Sequence, residues 1–128
     1  MKEVLAIIRM NMVNATKKAL ESAGYPAFSC RKCLGRGKKS VDDTAVIDSI
    51  LATGDVPGAA LGENLSEYRR LIAKRFFMLM VEDGQVDDVV KIIIDTNQTG
   101  NPGDGKIFVL PVVEAYTVRT GQTTKDAY

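Results

Sequence analysis

The chain has 128 residues, of which 45% are hydrophobic, and its 17 Lys and Arg residues nearly balance its 16 Asp and Glu residues. This length predicts one compact domain over residues 1–128, and a net charge of +1 gives no reason to expect binding to nucleic acid or to a membrane surface. No apolar run approaches the roughly 20 residues that a membrane span needs, and the first residues lack the apolar core of a signal peptide. We therefore expect a soluble, cytoplasmic protein without membrane insertion.

The first three elements follow from local sequence pattern. Residues 2–9 are short, apolar and rich in β-formers, which predicts a strand buried on both faces. Asn14 is a suitable N-cap for a helix with small and apolar residues on one side, and Gly24 followed by Pro26 predicts the end of that helix. A second strand is predicted over about residues 27–34.

The second strand carries both cysteines, Cys30 and Cys33, as one C-x-x-C motif. A structural zinc site needs four ligands, and the chain has no second cysteine pair and no histidine. A redox C-x-x-C normally opens a helix, whose dipole lowers the thiol pKa, whereas a strand directs these two side chains to opposite faces. We therefore interpret both cysteines as inert strand residues. The absence of histidine also removes the commonest general base and weakens an enzyme interpretation.

A long connection, about residues 36–72, separates the second strand from the third. It contains several glycines and no clean β alternation. A connection of this length inside a small domain is either functional or disordered.

The second half repeats the order of the first. A strand is predicted over residues 74–81, a turn at Asp83-Gly84, a helix from Val86 to near Gln98, and a last strand over residues 107–111. We expect the polar residues after this strand to fray. The order strand, helix, strand, long loop, strand, helix, strand predicts an α+β fold with two split β-α-β motifs, the ferredoxin-like arrangement.

The glycine-rich loop Thr99 to Lys106 is the most informative segment for chemistry. Three glycines within six residues allow backbone N–H groups to converge on an anion, and the lysine that follows is suited to phosphate. A plain connector between helix and strand remains an alternative, because glycines also mark ordinary turns. The loop is not a Walker A motif, which lies between a strand and a following helix.

Three segments resemble the P-II nitrogen-regulatory proteins. Residues 99–111, TGNPGDGKIFVLP, with Arg119-Thr120-Gly121 downstream, are similar to the C-terminal signature of that family. The opening MKEV and AIIR resemble its first strand, and Gly35-Arg36-Gly37-Lys38 falls where the family begins its long T-loop, here about residues 36–72. The resemblance implies a homotrimer of ferredoxin-like subunits with ATP or ADP between them.

The resemblance also implies roles for single residues. Gly103, Gly105 and Lys106 would contact the nucleotide phosphates, Arg119 would reach them across a subunit boundary, and Ser29 would lie near the adenine. Lys74 matches the lysine that pairs with 2-oxoglutarate. The full implied sets are, for the nucleotide, Ser29, Thr99, Gly103, Asp104, Gly105, Lys106 and Arg119, and, for the effector, Gly37, Lys38, Lys39 and Lys74. The alternative for the lysines and the arginine is a solvated charge at the end of a strand.

Some positions depart from the family pattern. Lys39 replaces the T-loop glutamine that helps hold Mg²⁺ and 2-oxoglutarate, and a lysine cannot coordinate Mg²⁺ as an amide carbonyl does. Thr117 replaces a second phosphate-contacting arginine, and Phe76 stands where a lysine is often found. Metal-assisted binding of 2-oxoglutarate is therefore less secure than nucleotide binding.

The T-loop is longer than the common form, and Tyr68 is out of register with the tyrosine that is usually uridylylated. These features resemble the branch that is encoded with nitrogenase in methanogens and some anaerobic bacteria, where two related P-II proteins cooperate to block nitrogenase. Regulation of an ammonium channel or of glutamine synthetase is the rival within the family. A small ferredoxin-like enzyme and an assembly module that binds no ligand are the alternatives from other classes.

Overall fold

A computed structural model describes residues 1–35, 37 and 71–127. By its internal contacts the chain divides into two units, one formed by Met1–Cys33 with Lys74–Tyr128 and the other by Leu34–Ala73. Almost all described residues belong to the first unit. The predicted T-loop lies outside the described residues except for Gly37, Leu71 and Ile72, and the single domain stays a prediction.

The first unit and its flanks contain six strands and two α-helices within the described ranges. Their bounds are β1 Lys2–Arg9, α1 Val13–Ser22, β2 Ser29–Gly35, β3 Ile72–Val81, α2 Val86–Asn97, β4 Gly105–Pro111, β5 Ala115–Thr117 and β6 Gln122–Thr124. One turn of 3₁₀-helix precedes each α-helix, at Met10–Met12 and at Asp83–Gln85.

The main sheet has the strand order β2-β3-β1-β4, and β1 is antiparallel to both of its neighbours. The two β-α-β motifs are therefore interleaved, as the predicted ferredoxin-like fold requires. In this register Arg9 lies opposite Lys74 on β3, and Ile7 lies opposite both Phe76 on β3 and Lys106 on β4. Because residues directly opposite each other share a face, Arg9, Lys74 and Lys106 project from the same side of the sheet.

The hydrophobic core lies on the other side of the sheet, beneath the two helices. Its members are buried residues at alternate strand positions and on the inner helix faces: Val4, Ala6, Ile8, Leu20, Tyr25, Phe77, Leu79, Val81, Val89 and Ile93. The prediction that β1 is buried on both faces is wrong for the single chain, since Leu5 and Ile7 are only half-buried. Among the described residues no second layer covers that side of the sheet, and the apolar side chains of β1 there stay partly exposed.

Of the two predicted ends of α1, the C-terminal end agrees with the structure and the N-terminal end does not. The prediction that Asn14 caps the helix is wrong, because the 3₁₀ turn leads directly into Val13 and Asn14 lies within the first turn. The predicted stop at Gly24 is confirmed: Gly24 has φ +89°, and the amide of Tyr25 donates to the carbonyl of Leu20 at 2.9 Å. A left-handed residue with such a backward hydrogen bond is a common helix C-cap.

The polar tail does not fray as expected. Gln122–Thr124 pairs with Ala115–Thr117 as the antiparallel hairpin β5–β6. The cysteines lie in β2 as predicted, unpaired, with Cys30 exposed and Cys33 half-buried. Across the described ranges, no helix has the length and apolar character needed to cross a membrane.

Candidate functional site

The loop between α2 and β4, residues 98–104, is organised around the carboxylate of Asp104. The amides of Thr99 and Gly100 donate to Oδ2 at 2.7 and 3.0 Å, and Thr99 Oγ1 donates to Oδ1 at 2.5 Å. The glycine-rich loop was predicted to direct its amides at an external anion. Two of these amides instead bind the chain's own carboxylate, which closes the loop on itself.

Arg9, at the end of β1, connects three points of this loop. Its Nη2 lies 2.9 Å from Asp104 Oδ1 and donates to the carbonyl of Pro102 at 3.3 Å, while Nη1 donates to Thr99 Oγ1 at 3.3 Å. Sequence pattern assigns no role to Arg9, since Arg9 lies 90 residues from Thr99 in the chain. The signal that could have found it is the pairing of β1 with β4, which brings the end of β1 beside the start of β4.

Lys74 holds the next carbonyl of the same loop. Its Nζ donates to Gly103 O at 2.7 Å. Burial, followed by the neighbouring positive charge of Arg9, lowers the pKa of Lys74 below its ordinary value, although Asp104 and Cys33 act in the opposite direction. Hydrogen bonds from the Thr99 side chain and backbone, then from the Gly100 amide, with the charge of Arg9, lower the pKa of Asp104.

These two cations fix the direction of two peptide groups. The described residues contain no cis peptide bond, and in a trans peptide the N–H points opposite to the carbonyl. With the Pro102 carbonyl on Arg9 and the Gly103 carbonyl on Lys74, the amides of Gly103 and Asp104 point away from both cations. Neither amide donates to another residue in the described part of the chain. The pair is therefore a candidate donor set for an anion.

Glycine is required at two positions of this site. A Cβ on Gly105 would lie 2.0 Å from the backbone oxygen of Ile7, and its φ is +128°. Gly103 has φ +97° and lies against the cations, with Lys74 Nζ 3.7 Å and Arg9 Nη2 3.8 Å from the position of a Cβ. The close approach of β4 to β1 and the turn of the loop thus both exclude side chains.

Lys106 completes the cluster on this face of the sheet. It follows Gly105 on β4, and its side chain forms no hydrogen bond or ion pair with any residue that the structure describes. Arg9, Lys74 and Lys106 together make one cationic patch beside the loop, which we call the cationic cluster. The cationic side chains and the two outward-facing loop amides are each suited to a phosphate or a carboxylate.

Two of the predicted nucleotide residues lie elsewhere in the chain. Ser29 begins β2, and two strands separate β2 from β4 in the sheet. It lines a cavity of about 360 Å³ whose other walls include Phe28, Met78 and Met80. Arg119 lies exposed in the turn between β5 and β6 and makes no polar contact with the described residues.

The predicted effector residues are only partly described. Lys74 belongs to the cationic cluster, and Gly37 is exposed beyond the end of β2. Lys38 and Lys39 lie outside the described residues. A further cavity of about 450 Å³ lies between α2 and β4, and its walls are mainly aliphatic, including Ile94, Ile107 and Val109.

A family model described as nitrogen regulatory protein P-II matches residues 1–122 of the chain. The chain belongs to the P-II family. This match covers both β-α-β motifs, the α2–β4 loop and the turn that carries Arg119. The resemblance inferred from the glycine loop and the first strand is therefore confirmed.

Three similar proteins carry names that refer to the nifHD region. A protein of Methanothermococcus thermolithotrophicus named nitrogen fixation nifHD region GlnB-like protein 2 is 45% identical over 99% of this chain and 98% of its own length. The protein with the same name in Methanothermobacter marburgensis is 42% identical over 99% of both chains. The GlnB-like protein 1 of M. thermolithotrophicus is 38% identical over 96% of this chain and 98% of its own length. The nitrogenase-linked branch inferred from the sequence agrees with these names.

Among the described residues of this P-II chain, no three His, Cys, Asp or Glu side chains lie close enough together to hold a metal ion.

Proposed function

We propose that this P-II chain is a regulatory sensor that binds ATP or ADP at the α2–β4 loop and 2-oxoglutarate beside Lys74. The observation that carries the proposal is the cationic cluster of Arg9, Lys74 and Lys106 around a closed glycine loop with two outward amides. The sensor would act in the cytoplasm and would control a target protein through its T-loop, residues 36–72.

The nucleotide phosphates have three kinds of partner in this proposal. The amides of Gly103 and Asp104 would donate to phosphate oxygens, and Lys106 would add a free ammonium group. Gly105 keeps β4 close to β1, so the phosphates can approach the backbone. The side chains of Thr99 and Asp104 would hold the loop rather than contact the nucleotide.

The surface that binds the adenine, and the last cation for the phosphates, would come from neighbouring copies of the chain. Ser29 and its cavity lie at the opposite edge of the sheet from β4, and Arg119 lies on a separate hairpin. P-II proteins are generally trimers, and a trimer would bring these residues to the phosphate loop of the next subunit. The half-covered apolar side of the sheet, with Phe108 45% exposed and Leu110 40% exposed, supports a homotrimer.

The effector would bind at Lys74. An ammonium group has three donors, and Lys74 uses one of them on Gly103 in the described structure. A carboxylate of 2-oxoglutarate could therefore join Lys74 without release of the loop. Gly37, Lys38 and Lys39 would supply the remaining contacts from the T-loop. Mg²⁺, where it takes part, would be held by phosphate and effector oxygens, since Lys39 offers no oxygen ligand.

The target that we propose is nitrogenase. The relatives are named for the nifHD region, and one organism has both a GlnB-like protein 1 and a GlnB-like protein 2. These names support a mixed assembly in which this chain acts with a second P-II protein. An ammonium channel or glutamine synthetase is the alternative target.

Regulation would follow from a shift of T-loop populations. A ligand moves such an equilibrium only by its differential affinity for the two states, and a change from 1:99 to 99:1 needs about 5.5 kcal/mol. A few charge-assisted hydrogen bonds at each of three sites are sufficient in magnitude.

Isothermal titration calorimetry with ATP, with and without 2-oxoglutarate and Mg²⁺, tests the proposal. Lys106→Ala should weaken ATP binding by about 1.5–3 kcal/mol, because it removes one charged hydrogen-bond donor from the site. Folding should be unchanged, since Lys106 has no polar partner among the described residues. Lys91→Ala is the matched control, because Lys91 pairs with Asp95 on an exposed face of α2.

If 2-oxoglutarate strengthens ATP binding, both ligand sites are supported. If ATP binds with the same affinity with and without 2-oxoglutarate, the proposal is restricted to a sensor of adenine nucleotides. If no nucleotide bound, the chain would be an assembly module without a ligand. That module predicts no thermal stabilisation by ATP, whereas ligand at 100 times its Kd stabilises a protein by about 2.7 kcal/mol.

A further inference from the structure

We propose that Arg9 is a positioning residue of the phosphate loop, which it holds through Asp104 and Pro102 and not by contact with the ligand. The inference rests on the proposed nucleotide site and names the residue that gives that site its shape. Arg9 is not among the residues that sequence resemblance assigns to nucleotide or effector.

The guanidinium of Arg9 spans the α2–β4 loop. Its three contacts, Thr99 Oγ1, Pro102 O and Asp104 Oδ1, lie at the start, the middle and the end of the loop. The Arg9 side chain is 29% exposed and that of Asp104 is 23% exposed, so the pair is only partly shielded from water. A planar fork with fixed donor directions can hold three such acceptors at once, whereas the single ammonium of lysine is a point charge.

Arg9 also fixes the orientation of the peptide between Pro102 and Gly103. The carbonyl of Pro102 faces Arg9, so the amide of Gly103 on the same peptide faces the opposite way. Loss of Arg9 would free this peptide to rotate, and the φ of +97° at Gly103 would no longer be held. The donor pair offered to an anion would then lose its fixed direction.

Arg9 also partly neutralises the charge of Asp104. Its carboxylate binds the amides of Thr99 and Gly100 on one side and Arg9 on the other. Without Arg9 this carboxylate would lose its ion-pair partner and would add negative charge beside the proposed phosphate site. Arg9 therefore has an electrostatic role through Asp104 as well as a geometric role through Pro102.

The test is a double-mutant cycle on ATP affinity with Arg9→Met and Asp104→Asn, measured by calorimetry. Arg9→Met should weaken ATP binding about ten- to a hundredfold, the range that corresponds to loss of a charged hydrogen bond. The double variant should lose far less than the product of the two single losses, because both substitutions break the same contact. Arg9→Lys should recover part of the affinity, and Lys91→Met, which removes an exposed cation from α2, should bind ATP as the unaltered chain does.

Multiplicative losses in the double variant would overturn the inference, since they would mean that Arg9 does not act through Asp104. Unchanged ATP affinity in Arg9→Met would overturn it as well.

A second measurement does not depend on nucleotide. Hydrogen exchange of the Gly100 amide, followed by NMR in the ligand-free chain, should be faster in Arg9→Met than in Lys91→Met, because the Asp104 acceptor is no longer held in place. If the unaltered chain bound no ATP but this exchange difference were present, the proposed function would fail and the positioning role would stand. Equal exchange rates would remove the positioning role.

Discussion

At the scale of single residues, the site depends on a negative charge within a cationic surface. Asp104 accepts hydrogen bonds from Thr99 and Gly100 and forms an ion pair with Arg9. Each of these interactions favours the charged form of its carboxyl group. The pKa of Asp104 is lower in the folded chain than its ordinary value of 3.8. A carboxyl group with a depressed folded pKa contributes stability above its unfolded pKa and loses that contribution as the pH falls through the folded pKa.

We therefore expect the loop to keep its structure from neutral pH down to the ordinary carboxyl range and to open only below it. The amide NMR signals of Thr99 and Gly100 should move together in an acid titration, with a midpoint below 3.8. Asp104→Asn provides the comparison, since it has no carboxyl group to titrate. A midpoint at or above the ordinary value would contradict the hydrogen-bonding arrangement described for Asp104.

At the scale of elements, β4 lies against β1 only because its first residue has no side chain. Gly105 combines φ +128° with a Cβ position 2.0 Å from the Ile7 carbonyl oxygen, which is backbone and cannot move aside as a flexible side chain would. A substitution there must separate the strands or distort the turn.

Gly105→Ala should lower the free energy of unfolding by about 2 kcal/mol or more, because a backbone clash and an unfavourable φ are both introduced. Urea denaturation followed by circular dichroism gives the measurement. Gly84→Ala is the matched control, since no heavy atom lies within 4 Å of the corresponding Cβ. Equal stability of the two variants would show that β4 does not approach β1 as closely as described.

The elements also show how far the sequence can be interpreted. Periodicity and glycine positions predict the order of the strands and helices, because these signals are local. The start of α1 is not predicted, because a 3₁₀ turn before Val13 overrides the capping preference of Asn14. The hairpin β5–β6 is missed because strands of three residues are too short for a pattern to register.

The candidate site could likewise be predicted from the sequence only where its signal is local. The glycine loop and Lys106 are visible as a motif, whereas the role of Arg9 depends on the pairing of strands that are far apart in the chain.

At the scale of the whole molecule, none of the described residues forms a covering layer over one side of the sheet. Lys106, Phe108 and Leu110 alternate along β4 and share this side, and Leu5 and Ile7 lie on the same side of β1. Apolar surface of this kind is typical of an interface between subunits. The proposed trimer would bury it and would bring Ser29 and Arg119 to the phosphate loop of a neighbour.

Phe108→Asp should therefore convert the trimer into smaller species, because it introduces a charge into the proposed interface. Sedimentation velocity measures the change in mass, and calorimetry should show loss of ATP binding in parallel, since the proposed site needs two subunits. Ala15→Asp, at an exposed position of α1, introduces the same charge away from this interface and should leave the mass unchanged. A trimer that persisted in Phe108→Asp would rule out the open side of the sheet as the contact surface.

The internal carboxylate of the α2–β4 loop has a kinetic consequence. Because Asp104 already occupies the amides of Thr99 and Gly100, the loop is ordered during folding and not during binding. An anion that arrives at Gly103 and Lys106 meets a preorganised receptor, so little conformational entropy is lost in the encounter. Association at this loop should then be limited by diffusion and orientation, and slow steps in signalling should arise in other segments of the chain.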